Sequence, residues 1–85
     1  MFEMWDIETL ILNGELIVSG RQNGDGYLLL KKGTLLTDGT DTYKITGIPF
    51  MHYNNVENLS ANITLQIENK GYSSKHFDNK TLKIA

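Results

Sequence analysis

The sequence predicts an all-β fold: a small antiparallel barrel of six or seven short strands. Three observations carry it. Apolar residues alternate with polar ones in several segments, turn signals recur about every ten residues, and helical periodicity is hard to find anywhere. The chain has 85 residues, one Pro and eight Gly, enough for one domain with many turns.

From the N-terminus, Ile7 to Leu12 and Glu15 to Ser19 flank Asn13-Gly14. That dipeptide is the strongest short-range signal for a two-residue type I′ hairpin, whose central residues both need positive φ. Leu16-Ile17-Val18 is β-branched at two positions and stiff enough for a strand. Asn23-Gly24-Asp25-Gly26 marks a turn before Tyr27–Leu30, and Lys31-Lys32-Gly33 breaks that run ahead of Thr34-Leu35-Leu36. Asp38-Gly39-Thr40-Asp41 turns again into 42–48, where Tyr43 and Ile45 point inward and Lys44 and Thr46 outward. Ile63, Leu65 and Ile67 share one face by the same rule, as do Leu82 and Ile84. Phe50–Asn62 and Asn69–Asn79 break the rhythm and have room for a helical turn at most. Residues 1–13 read as an N-terminal strand or arm, 14–85 as the barrel, within a single domain.

The absence of cysteine excludes disulfides, cysteine zinc sites and thiol catalysis, and points to a reducing, cytoplasmic setting. The acidic N-terminus does not read as a signal peptide, and no apolar run is long enough to span a membrane. A net charge of −2 argues against general nucleic-acid binding. The charge is uneven: residues 1–15 hold Glu3, Asp6, Glu8 and Glu15 with no basic residue, whereas 70–85 hold four lysines against Asp78. The two ends are expected to lie side by side in one sheet, each offsetting the other's field.

From residue 14 onward the chain resembles the β-barrel second domain of translational GTPases of the elongation factor Tu and initiation factor 2 type. Leu16-Ile17-Val18-Ser19-Gly20-Arg21 is similar to that domain's opening strand and Gly-Arg turn. Leu30-Lys31-Lys32-Gly33-Thr34-Leu35-Leu36 resembles the step that follows, and Tyr43 to Ile48 the strand ending in a Gly-aliphatic pair. The resemblance implies a free-standing barrel. It does not carry nucleotide hydrolysis, because no Gly-x-x-x-x-Gly-Lys-Ser/Thr segment is present. Pro49 stands where elongation factor Tu has a tRNA-contacting Glu.

No residue set has the spacing of a catalytic or metal motif, so no cofactor and no small-molecule substrate are expected. His52 and His76 read as solvated loop histidines, and Asp25, Asp38 and Asp41 as turn residues. Phe50, Met51, His52 and Tyr53 combine aromatics and Met at the head of a polar loop, a composition that suits an interface core; the competing reading has Phe50 or Tyr53 fold back to plug the barrel end, and Trp5 carries the same two readings. The expectation is therefore a non-enzymatic module that binds another protein, of inhibitor, immunity or accessory type. The alternative is an RNA- or ribosome-associated domain contacting through Arg21, Lys31, Lys32, Lys75 and Lys80.

Overall fold

A computed structural model describes residues 2–23, 30–48 and 62–85. They form six antiparallel strands: β1 (Glu3–Leu12), β2 (Glu15–Gln22), β3 (Leu35–Thr37), β4 (Thr42–Gly47), β5 (Asn62–Ile67) and β6 (Leu82–Ile84). The order around the ring is β1-β2-β5-β4-β3-β6, with β6 returning to β1, so the sheet closes into a barrel. No helix among the described residues is long and apolar enough to cross a membrane.

The β1–β2 hairpin follows from its turn. Asn13 and Gly14 both have positive φ, 52° and 80°, as a type I′ turn demands. Asn69 Nδ2 donates to the Gly14 carbonyl at 3.0 Å, tying the hairpin tip to the segment after β5. The two chain ends meet as their charges require: Glu3 lies opposite Lys83, and their side chains approach to 3.7 Å.

The barrel interior is filled by side chains, as a small barrel must be. Tyr43, Ile45, Ile63, Leu65 and Ile67 point inward, with Phe2, Met4, Leu16, Val18 and Leu36. Each aliphatic side chain so buried is worth about 1.5–3 kcal/mol. Leu82 is fully buried, but Ile84, placed inward by alternation, is exposed. It stands at the end of a three-residue strand, where the interior opens to solvent.

A β-bulge re-phases β1. Trp5 pairs with Arg21 and Glu8 with Ser19, so Asp6 and Ile7 together oppose Gly20. Asp6 takes a left-handed φ of 52° to accommodate the extra residue. Before the bulge Phe2 and Met4 are the buried residues; after it the buried residue is Ile7. From Ile7 onward Thr9 and Ile11 therefore face in, while Glu8, Leu10 and Leu12 face out. Gly20 is required here, since a Cβ would lie 2.6 Å from the Trp5 carbonyl oxygen. A second shift in β4, between Ile45 and Gly47 against Ile67 and Gln66, bends the opposite wall.

Candidate functional site

Two features rise above the barrel frame: a polar–aromatic cluster over one end, and a length of β1 that is paired on one side only among the described residues.

The cluster is built from the turn after β3, from β4 and from residues 72–80. Asp38 Oδ1 accepts the Thr40 and Asp41 amides, each at 2.8 Å, which closes the turn that the sequence reserved for it. Asp38 Oδ2 accepts the Tyr43 hydroxyl at 2.6 Å and lies 3.2 Å from Lys80 Nζ. Tyr43 Oη is also 2.9 Å from His76 Nε2. The phenol has one proton and gives it to a carboxylate, so His76 Nε2 must be the donor in this second bond. That fixes the ring tautomer, and Lys80 Nζ, 3.4 Å from the same nitrogen, finds no acceptor there and is directed to Asp38.

Phe77 packs on Tyr43 at 4.9 Å between ring centroids, and Tyr72 on His76 at 4.4 Å. His76, read from sequence as a solvated loop residue, is instead half-buried in this aromatic stack. Successive four-residue turns, from Ser73 to His76 and from Lys75 to Asp78, bring its ring back over the barrel.

Burial pushes the Asp38 carboxyl up, but the Tyr43 hydroxyl, the two amides and the Lys80 ammonium outweigh it and hold the group far below the usual carboxylate range. Burial and the adjacent Asp38 charge both push the Tyr43 phenol well above its ordinary value. This arrangement fixes an ionised carboxylate and a neutral phenol. It is the reverse of what activates a tyrosine as a nucleophile or base. Asp38, Asp41 and His76 each bring a ligand atom within 4.8 Å of the others. A metal ion there would have to displace the Lys80 ammonium and the Tyr43–His76 bond. The cluster's own hydrogen bonds therefore account for it as the clasp that fastens residues 72–80 to the barrel.

The second feature comes from strand lengths. Within β1, only Glu3 and Met4 pair with β6, whereas β2 pairs as far as Leu12. Residues 7–12 therefore have a partner on one side only, among the described residues. Leu10 and Leu12 are 56% and 53% exposed, and Ile11 is 39% exposed. At the inner end of this free edge lies an open cleft of about 370 Å³, lined by Trp5, Asp6, Ile7 and residues 78–81.

Of the residues singled out by sequence, Trp5 is half-buried at this cleft, beside the bulge. Phe50, Met51, His52 and Tyr53 lie outside the described residues. Arg21 is exposed on β2, Lys31 and Lys32 on the turn before β3, and Lys75 on the turn before Phe77. Lys80 is engaged by Asp38. Sequence reading did not single out Leu10 and Leu12. The signal was the apolar run Leu10-Ile11-Leu12, in which hydropathy does not separate inward from outward positions.

Comparison with protein families, with curated proteins and with solved structures found no match for this chain.

Proposed function

We propose that this protein is a non-enzymatic binding module that captures an extended segment of another protein along the free edge of β1. One observation carries the reading: among the described residues, 7–12 have a strand neighbour on one side only, with exposed Leu10 and Leu12 beside the other. Natural sheets protect such edges with charge, Pro or short length, because unpaired N–H and C=O groups template further strands. Here the edge is six residues long, and only Glu8 among them is charged. Strand addition supplies main-chain hydrogen bonds for affinity and side-chain contacts for specificity. An inhibitor, an immunity-type protein or an accessory subunit would all use such a surface.

The test is photo-crosslinking in the native cell from a reactive amino acid placed at Leu10, with exposed Lys44 on β4 as the control position. A discrete crosslinked protein from position 10, absent from position 44 and lost in Leu10→Lys/Leu12→Lys, is expected. Equal crosslinking from both positions, or crosslinks that survive the double substitution, contradicts the proposal.

A further inference from the structure

We infer that the segment captured on β1 is basic at one end and apolar at the other, with a lysine or arginine opposite Glu8 and apolar side chains opposite Leu10 and Leu12. The inference rests on the strand-capture reading and adds the partner's chemistry. Residues opposite each other on adjacent strands share a face, with Cβ atoms about 4.5–5.5 Å apart. A strand laid along residues 7–12 must therefore answer Glu8, Leu10 and Leu12 in turn on the outer face.

Charge decides between partners. Asp6 and Glu8 make no ion pair among the described residues. Of the eight Lys and Arg residues, all of them described, none forms an ion pair with Asp6 or Glu8; exposed Arg21, opposite Trp5, is the one cation on the neighbouring strand β2. Lys80, which lines the same cleft as Asp6, and Lys83 are already engaged by Asp38 and Glu3. A strand extended past Glu8 reaches the bulge, where the cleft is lined by Asp6, Asp78 and Trp5, and by Lys80, whose ammonium is held by Asp38. A second basic side chain there would meet two carboxylates and an aromatic ring, a combination that favours ammonium and guanidinium groups. A second copy of this chain fits less well, because its own β1 carries Asp6 and Glu8 and no basic residue to offer in return.

The experiment titrates the full chain with two short extended peptides that carry valine at the positions opposite Leu10 and Leu12 and differ only in having lysine or glutamate opposite Glu8 and at the next outer-face position beyond it. Binding is read from Trp5, the sole tryptophan, and assembly state from sedimentation. The lysine peptide is expected to shift Trp5 emission with the protein still monomeric, and the glutamate peptide to leave it unchanged. Asp6→Asn/Glu8→Gln should weaken the lysine peptide about fivefold with an unchanged melting temperature. Equal binding of both peptides, or no loss in the double variant, overturns the basic-partner inference while edge capture stands. Binding that persists in Leu10→Lys/Leu12→Lys overturns edge capture itself. Dimers that form without peptide and vanish in that variant make a second copy the occupant, and no binding with no dimer overturns the inference outright.

Discussion

Gly20 faces the carbonyl of Trp5 so closely that a Cβ at position 20 would sit 2.6 Å from that oxygen. The contact is backbone against glycine, so it cannot be relieved by rotating a side chain. It is what allows two residues of β1 to oppose one of β2, and hence what sets the outward phase of Glu8, Leu10 and Leu12.

Gly20→Ala is accordingly predicted to destabilise the barrel by about 1–3 kcal/mol, the usual cost of forcing atoms into packed space. Gly47→Ala provides the contrast. Its added Cβ would meet Gln66 Oε1 at 2.8 Å, the mobile end of a long side chain, so its cost should be much smaller. Urea unfolding of the two variants checks the order. Equal losses would mean that the bulge yields as readily as a side chain.

Tyr43→Phe removes one hydroxyl and two hydrogen bonds, leaving Asp38, whose side chain is 4% exposed, without its shortest partner. Asp38 keeps the two amides and Lys80, so the predicted loss is about 1.5–3 kcal/mol, the worth of one hydrogen bond to a charged group. Because the clasp touches the β1 edge only through residues 78–80 at the cleft, this variant should change lysine-peptide affinity much less than Asp6→Asn/Glu8→Gln does. Thermal unfolding and the Trp5 titration measure the two effects independently.

The pH dependence follows from Asp38. Its carboxyl pKa is depressed in the folded chain, so the unfolded chain takes up the proton first as pH falls. Its contribution is fully present above the ordinary carboxylate value of about 4 and is lost as pH drops below it. The stability difference between wild type and Asp38→Asn should therefore shrink steadily from about pH 5 to pH 2. Tyr43 acts with the opposite sign: its raised pKa favours folding below about pH 10, and that contribution is lost as pH rises further. A constant gap across the acid range would remove Asp38 from the account.

The parts of the fold legible in sequence were those where alternation runs uninterrupted. The period-two pattern of Ile63, Leu65 and Ile67 and the Asn13-Gly14 turn are local signals, and both appear as written. That the two ends lie side by side was legible as a charge imbalance, and there Glu3 pairs with Lys83. The outward leucines of β1 were not, because a bulge shifts phase through contact with Gly20 on another strand, and no window of β1 alone contains that contact. His76 was misread for a related reason. Its partner Tyr43 is thirty-three positions away, and only closure of the barrel brings the two rings together.

The most direct test of the free edge is amide hydrogen exchange in the isolated protein, resolved residue by residue. β2 has neighbours on both sides along Leu16–Arg21, so its amides should be slow without interruption. Along Ile7–Leu12, where only β2 is paired, slow and fast amides should alternate, because every second amide of an antiparallel strand points away from its single neighbour. Uniformly slow exchange from Ile7 to Leu12 would mean that the chain already covers this edge, and would contradict the account.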